Sequence, residues 1–410
     1  MKLRTILAWA CLVFVVGFLA RLVIAEMHPS WMKASSYETW NTAVAFARGG
    51  CLCDPYGVPT GPSAHASPLY PLILGTLLRW IGTGQAGVQA HFFLNITLAS
   101  LMWAGLPLFA AATGLAIRIG ILGGFLGALL PMHLWTETHR GEPALTGVLL
   151  MAATGYTIFI WRTHSFRVGT GAMQGALWGL AFLSSASTVP AFVFLIIASF
   201  LFLRFAVLRT NLVALASAFI ITSPWLIRNA VVLGSPVLRS NFGLELRVSN
   251  NELARADSDD NLAGGAYRLY HPSVNQGEAV RVRDAGEIAY NRRVLGEART
   301  WIFRNQEAFL KLTLQRICYF WFPSVKHRLE LIVVFAWTLA ALAGLYVLSR
   351  QNLQLTVAII CMWAGYSIVY GLLQSSVRYS YPIRWSLTLL VAVLISAIVQ
   401  PRSGTAETGC

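Results

Sequence analysis

The chain has 410 residues, of which 56% are hydrophobic and only 12% are charged, so its composition excludes an ordinary soluble domain. Lysine and arginine outnumber aspartate and glutamate by 31 to 17, which gives a net charge of +14. No DNA- or RNA-binding motif accompanies this charge. We therefore interpret it as a bias that orients a membrane protein, not as a nucleic-acid interface.

Apolar runs of about 20 residues, the length a helix needs to cross a hydrocarbon core, recur along the chain. They do not alternate as barrel strands do, so the sequence predicts an all-α polytopic membrane protein with about ten transmembrane helices and further helices in its external loops. The predicted spans are 5–25, 88–112, 115–134, 143–161, 171–187, 189–207, 210–227, 329–348, 353–373 and 382–400. The shorter stretch 68–82 is predicted to be re-entrant. The first span has a second interpretation, as a cleaved signal peptide.

The basic residues predict the orientation of these spans. With a cytoplasmic N-terminus, ten spans bring lysine or arginine to every short cytoplasmic loop, as the positive-inside rule requires. We divide the chain into an N-terminal membrane module, 1–227, which includes a first external loop (26–87); an extracytoplasmic segment with amphipathic helices, 228–328; and C-terminal membrane helices with a short cytoplasmic tail, 329–410. Apart from Glu407, the acidic residues fall on or near the external face, which marks it as the working face.

The first external loop opens with "YETWNTAVAFARGG" (37–50), a predicted short helix with Glu38, Asn41 and Thr42 on one face. A carboxylate near low-dielectric surroundings acts as a general base when desolvation raises its pKa toward neutrality. The alternative is an interfacial helix whose Glu38 faces water. The next stretch, "DPYGVPTGPSAHASPLYP", contains five prolines, and we predict irregular backbone there.

Other candidates for chemistry lie in later external loops. Glu137, His139 and Glu142 occur in "TETHRGEP", where an acid could orient an acceptor, assist a base or hold a divalent ion; the alternative is a solvated turn before a helix. Arg228 and Arg378 lie at the outer ends of spans. The fork of an arginine suits a lipid-linked phosphate, and ordinary snorkelling is the alternative.

Within the long segment, "GEIAYNRRVLGEARTWIFRNQEAFLKLTLQR" (286–316) is predicted to be an amphipathic helix along the membrane surface, with Tyr290, Val294 and Ala298 on its apolar face. The six cysteines have no metal-type spacing, and the "CLC" pair is too close for an unstrained disulfide. We assign the cysteines no functional role.

Several of these stretches together resemble a known family. "YETWNTAVAFARGG" followed by "PTGPSAHASPLYPLILGTLLRWIG" is similar to the first external loop of bacterial family 39-type glycosyltransferases of the C-type fold, relatives of dolichyl-phosphate-mannose protein mannosyltransferases. "SPWLIRNAVVLGSPVLRSNFGLEL", "HPSVNQGE" and "RYSYPIRWSLTLLVA" resemble one bacterial branch. The likeness covers most of the chain through individually modest motifs. Many members have an aspartate where this chain has Ser35 and Ser36, so a non-catalytic relative is one alternative.

The resemblance implies a C-type glycosyltransferase fold and an enzyme of the bacterial inner membrane. Such an enzyme transfers a sugar from a polyprenyl-phosphate donor to an acceptor hydroxyl on the extracytoplasmic face, with inversion. Matched by position, Glu38 is the base, Glu142 the second-loop acid and Arg378 the arginine near the donor phosphate. Tyr37 and Tyr379 are expected to contact substrate beside them.

Glu137, His139 and Arg228 complete the expected substrate-binding set. The expected partners are the lipid-linked donor, membrane lipids and an acceptor that is a lipid, glycan or protein. No metal ligand is assigned and no cofactor is required, although the chemistry allows Mg²⁺ or Mn²⁺. The rival functions are a transporter or flippase of lipid-linked sugars, and a polysaccharide polymerase or ligase that uses a lipid-diphosphate donor. The scarcity of acids at span centres speaks against ion-coupled transport.

Overall fold

The computed structural model describes residues 2–27, 37–130, 134–324 and 328–399, and within these ranges the chain is helical with only two isolated β-bridges. Ser35 and Ser36 lie outside the described residues, as does Glu407. The prediction of an all-α multi-pass membrane protein is confirmed at this coarse level.

The helices fall into three groups along the chain. The first group is α1 (Leu3–Met27), α2 (Glu38–Gly49), α3 (Leu69–Ile81), α4 (Gln85–Ala104), α5 (Leu106–Thr113), α6 (Ile117–Leu129), α7 (Leu134–His139), α8 (Gly141–Thr163), α9 (Val168–Ser184), α10 (Val189–Leu203) and α11 (Leu208–Leu233). The second is α12 (Phe242–Ser249), α13 (Ser258–Gly264), α14 (Ala266–Tyr270), α15 (Gln276–Ala285), α16 (Glu287–Arg304) and α17 (Gln306–Trp321). The third is α18 (Arg328–Ser349), α19 (Leu353–Leu372) and α20 (Arg384–Val399), the last preceded by a 3₁₀ segment, Val377–Ile383.

Seven helical stretches of the described chain are long and apolar enough to cross a membrane. They are Leu3–Met27, Gln85–Thr113, Gly141–Thr163, Ala186–Leu233, Glu330–Ser349, Leu353–Leu372 and Val377–Val399. The predicted spans 115–134 and 171–187 correspond to α6 and α9, which have only 13 and 17 residues. The predicted number of ten spans is therefore not confirmed, and the division into three parts stays a prediction.

Small residues let the membrane helices approach closely. Gly171, Gly175 and Gly179 recur every four residues on α9 and face α11. A Cβ atom at Gly171 would lie 2.7 Å from the backbone oxygen of Thr210, and one at Gly175 would overlap the backbone oxygen of Ala214. In lipid there is no hydrophobic driving force between helices, so their association depends on van der Waals contact. The small residues of α9 allow this close contact with α11, which larger residues would prevent.

The long segment folds onto the first external loop. Leu244 and Val248 of α12, and Tyr290 and Val294 of α16, share a small buried cluster with Tyr56 of the first loop. The predicted apolar face of α16 is thus buried, but the single helix predicted over 286–316 ends at Arg304, and α17 follows it.

Candidate functional site

One large cavity, with a volume of about 850 Å³, lies where the first external loop, the start of α8, the long segment and the end of α19 meet. Tyr37, Glu38, Glu142, Arg378 and Tyr379 line it together, although the sequence separates the first from the last by more than 300 positions. The structure therefore brings both predicted catalytic acids and three of the six predicted substrate-binding residues to one place.

Glu38 is the first residue of α2, and its side chain is 20% exposed, toward the cavity. Its Oε1 atom accepts hydrogen bonds from the Ser273 hydroxyl at 2.5 Å and from the Tyr267 hydroxyl at 3.4 Å. Among the described residues no hydrogen bond reaches Oε2. One oxygen is thus held by the protein and the other is available to a ligand.

The environment of Glu38 differs from the expectation based on desolvation. Burial does oppose ionisation, but the imidazoles of His271 and His65 and the hydrogen bond from Ser273 outweigh it and lower the pKa of Glu38 to about 2. A pKa raised toward neutrality was the wrong expectation, because His271 and Ser273 of the long segment and His65 of the same external loop oppose the effect of burial. Glu38 is anionic at any physiological pH.

Two histidines and a second carboxylate surround Glu38. One ligand atom each of Glu38, His65 and His271 lie within 4.8 Å of one another. The Nε2 atom of His271 is 4.0 Å from Oε1 of Glu38 and 3.9 Å from Oε1 of Glu245, which belongs to α12. The His271 ring is 1% exposed and stacks on Tyr267 with a centroid distance of 4.1 Å. These residues form the acid–histidine cluster: Glu38, His65, Glu245 and His271.

Irregular backbone carries His65 into this cluster, as the proline-rich stretch predicted. The Tyr56 hydroxyl lies 3.1 Å from His65 Nδ1. Glu287, at the start of α16, accepts hydrogen bonds from the Ser63 hydroxyl at 2.5 Å and the Ala64 amide at 2.7 Å. The loop is thereby fixed to the long segment.

Arg228 fixes the same loop from the other side. Its Nη1 donates to the carbonyl oxygen of Ser63 at 2.9 Å, and its Nη2 donates to that of Leu52 at 3.0 Å. Its guanidinium also lies over the Trp225 ring at 5.0 Å. Arg228 is not among the cavity-lining residues, so these contacts support the loop and provide no evidence for its predicted role in substrate binding.

Glu142 begins the second wall of the cavity, in the first turn of α8. The Tyr37 hydroxyl lies 3.4 Å from Glu142 Oε2 and 3.2 Å from His91 Nε2. The guanidinium of Arg140 lies over the Tyr37 ring at 4.9 Å. Tyr37, the residue before Glu38, therefore links the first external loop to the acid of the second loop.

The other end of the cavity is basic and aromatic. Arg378 donates to the Tyr379 hydroxyl at 3.2 Å, and its buried Nε has no hydrogen-bond partner among the described residues. Tyr379 stacks on Tyr370 at 5.1 Å. Arg239 also lines the cavity; its Nε donates to the carbonyl oxygen of His65 at 2.9 Å. Arg378 keeps an unpartnered donor in the part of the chain that the structure describes, and Arg239 adds a second guanidinium to the cavity lining, so the cavity is suitable for an anion.

Glu137 and His139 are not among the cavity-lining residues. Glu137 is 1% exposed and forms an ion pair with Arg21 of α1 at 2.8 Å, and its Oε1 accepts a hydrogen bond from the Tyr381 hydroxyl at 2.7 Å. His139 Nδ1 lies 2.9 Å from the Thr138 hydroxyl. Glu137 connects helices, and the predicted contact of these two residues with substrate has no support in this arrangement.

Five residues of the site are not among the candidates predicted from the sequence: His65, Arg239, Glu245, Tyr267 and His271. His65 and His271 do occur in stretches that carry the family resemblance, "PTGPSAHASPLYP" and "HPSVNQGE". The available signal was a proline-rich turn for His65 and a following proline, Pro272, for His271.

Neither a protein-family model nor a curated protein sequence matches the chain. Among solved structures, the apo form of the Archaeoglobus fulgidus oligosaccharyltransferase is similar, with a TM-score of 0.60 and 14% identity over 95% of this chain and 50% of that one. The same enzyme in complex with zinc and sulfate gives a TM-score of 0.57 and 14% identity over 94% and 49%. The chain spans about half the length of these proteins. The comparison supports the fold of a C-type glycosyltransferase and does not single out family 39.

Proposed function

We propose that the chain is an integral-membrane glycosyltransferase that moves a sugar from a polyprenyl-phosphate donor to an acceptor hydroxyl, with inversion, on the extracytoplasmic face of a bacterial inner membrane. The observation that carries this proposal is the convergence of Glu38, Glu142 and Arg378 on one cavity within a C-type fold. The fold alone fits other activities, so the proposal depends on the chemistry of the cavity. That the chain is a glycosyltransferase of the family 39 type is part of this proposal.

In the proposed reaction, the basic end of the cavity holds the donor phosphate between Arg378 and Arg239. Arg239 takes the part that the sequence analysis gave to Arg228, because Arg239 lines the cavity and Arg228 binds loop carbonyls. The aromatic stack of Tyr370 and Tyr379 lies beside this end. The arginines stabilise the negative charge that grows on the phosphate as it leaves.

The acceptor hydroxyl is held by Oε2 of Glu38. Its oxygen attacks the anomeric carbon, the bond from that carbon to the phosphate oxygen breaks, and the electron pair leaves with the phosphate. The hydroxyl proton passes to Glu38. Because the pKa of Glu38 is lowered, this carboxylate is a weak base, and it takes the proton late, when the attacking oxygen has become strongly acidic through its new bond. Glu142 and Tyr37 orient the acceptor from the opposite wall.

A divalent metal at the acid–histidine cluster is part of the proposal. One carboxylate and two imidazoles within 4.8 Å of one another are donor types that zinc takes, and the similar oligosaccharyltransferase was solved with zinc. Glu38, His65 and His271 would hold the ion through their facing atoms. A bound cation supplies positive charge near a departing phosphate.

The test is transfer by purified full-length protein in liposomes supplied with a labelled polyprenyl-phosphate sugar and candidate acceptors. We expect Glu38→Gln to lower transfer by a factor on the order of 10²–10⁴, the usual contribution of a positioned proton acceptor. Asp284→Asn is the matched control, because Asp284 is an exposed acid of the long segment and does not line the cavity.

Transfer that Glu38→Gln leaves unchanged would remove Glu38 from the mechanism. Labelled substrate that crosses the vesicle membrane without covalent transfer would favour a transporter instead. Transfer only from a lipid-diphosphate donor would favour the polymerase or ligase class.

A further inference from the structure

A chain of buried hydrogen bonds connects α4 with the start of α8, where Glu142 lines the cavity. His91 and Asn95 are one turn apart on α4; both are buried, and neither lines the cavity. The Tyr70 hydroxyl accepts a hydrogen bond from the backbone N–H of Gly141, the first residue of α8, and donates one to Oδ1 of Asn95. His91 therefore belongs to the polar network that holds the first turn of α8.

The carbonyl oxygen of Thr138 fixes the direction of these hydrogen bonds. It lies 3.0 Å from Nδ2 of Asn95, and a carbonyl oxygen only accepts, so the Asn95 atom that faces it is the amide nitrogen. The same nitrogen lies 3.2 Å from Nε2 of His91, and it only donates. Nε2 is therefore the accepting nitrogen of His91, and the ring carries its proton on Nδ1.

Tyr37 consequently lies between two acceptors. Its hydroxyl oxygen is 3.2 Å from Nε2 of His91 and 3.4 Å from Oε2 of Glu142. A phenol has one proton, so Tyr37 donates fully to only one of these groups at a time. When a ligand hydroxyl donates to Oε2 of Glu142, the Tyr37 proton can turn to His91, and the protein loses no hydrogen bond.

We propose that His91 is a positioning residue for the hydroxyl-bearing acceptor, because it accepts the proton of Tyr37 while the acceptor binds to Glu142. This inference rests on the proposed function, in which the acceptor reaches Glu142. His91 does not line the cavity and acts only through Tyr37. If residue 91 had no accepting atom, the acceptor would have to displace Tyr37 from Glu142 and leave a buried hydroxyl without a partner, which is costly.

The experiment measures transfer by purified full-length protein in liposomes, from a labelled polyprenyl-phosphate sugar. Octyl glucoside, phosphatidylglycerol and a serine- and threonine-rich peptide are offered as acceptors, and KM and kcat are measured for each acceptor that the wild type uses. We expect His91→Leu to raise the KM for the acceptor about three- to tenfold, the usual effect of one lost hydrogen bond, and to change kcat less than about twofold. His91→Gln should restore the KM, because its amide oxygen can replace Nε2 as the acceptor.

Two comparisons separate this role from a structural one. In a Tyr37→Phe background, His91→Leu should have no further effect on KM, since the residue that connects position 91 with the ligand is gone. Ser100→Ala is the matched control on α4, because Ser100 is buried and donates only to the carbonyl oxygen of Ile96; its KM should be that of the wild type. Thermal unfolding is recorded for every variant. His91→Phe, whose ring can still pack on Trp40, replaces His91→Leu if that variant fails to fold.

Solid-state NMR of protein labelled with ¹⁵N-histidine tests the hydrogen bonds without any substrate. The signals of His91 are those that His91→Gln removes, and we expect a protonated Nδ1 and a bare Nε2 whose signal shifts in Tyr37→Phe. A protonated Nε2, an unchanged KM in His91→Leu, or an equal rise in KM with and without Tyr37 overturns the inference and leaves the proposed function intact. Absence of transfer by the wild type overturns the proposed function, and the role of His91 with it.

Discussion

The buried ion pair of Arg21 and Glu137 provides a test of whether Glu137 has a structural role or binds substrate, as the sequence predicted. Arg21 is fully buried and Glu137 is 1% exposed. Arg21 also donates to the carbonyl oxygens of Gly17 at 2.9 Å and Ala128 at 3.2 Å. The pair thus connects α1 with the region before α8, in surroundings where a lone charge is costly.

We expect Arg21→Met to destabilise the protein by about 3–5 kcal/mol, because it leaves Glu137 buried with only neutral donors. Glu137→Gln strands the guanidinium in the same way. The double variant removes both charges, so it should be less destabilised than the sum of the single changes by about 2 kcal/mol. Arg79→Met at an exposed position of α3 is the control and should change stability by less than about 0.5 kcal/mol.

The measurement is a denaturant titration in detergent followed by tryptophan fluorescence, with sugar-transfer kinetics recorded on the folded protein. Glu137→Gln should leave the KM for the lipid donor unchanged, since Glu137 does not line the cavity. Additive single effects would refute the ion-pair reasoning. A raised KM at wild-type stability would restore Glu137 to the substrate-binding set.

Two further predictions test the helix packing and the anion-binding end. Gly175→Leu should destabilise the protein by about 1–3 kcal/mol or more, because even a Cβ atom there overlaps the backbone of α11. Gly169→Ala is the control, because the space around Gly169 is open and this change should be neutral or stabilising. Thermal unfolding of both variants is the measurement. Arg239→Gln should lower kcat/KM for the lipid donor about ten- to hundredfold, because it removes a charge-assisted hydrogen bond to the donor. Arg228→Gln should lower the unfolding temperature and leave the KM for the donor at the wild-type value, because Arg228 binds loop carbonyls. Equal effects of the two arginine variants on KM would contradict the assignment of the phosphate to Arg239.

The sequence was sufficient to predict the membrane class and the helical fold, because these depend on local patterns. Long apolar runs report hydrocarbon thickness directly. The number of spans did not follow as well, because α6 and α9 are shorter than their predicted spans, with only 13 and 17 residues. The helix predicted over 286–316 ends at Arg304, because the backbone of Asn305 (φ −128°, ψ 51°) is not helical although the apolar pattern continues across it.

The protonation state of Glu38 could not be predicted from its own neighbourhood. Desolvation acts within α2 itself, whereas the groups that lower the pKa of Glu38 are His271, His65 of the same external loop, and Ser273. His271 and Ser273 lie more than 230 positions away in the sequence. The partners of Arg228 could not be predicted from the sequence either, because Ser63 and Leu52 contact it only through the folding of the first loop. The charges of Glu38 and Arg228 predicted that each would make polar contacts, but did not identify the partner residues.

These long-range contacts change the interpretation of the segment 228–328. Only its helix over 286–316 is predicted to lie along the membrane surface. The part before that helix supplies Arg239, Glu245, Tyr267 and His271 to the cavity and Ser273 to Glu38. The first loop provides only one carboxylate and one histidine of the acid–histidine cluster. Neither part can therefore set the charge or geometry of the site alone, and the site exists only when the segment is folded over the first loop. Glu287 and Arg228, which fix that loop to the segment, consequently determine the geometry of the site without lining its cavity.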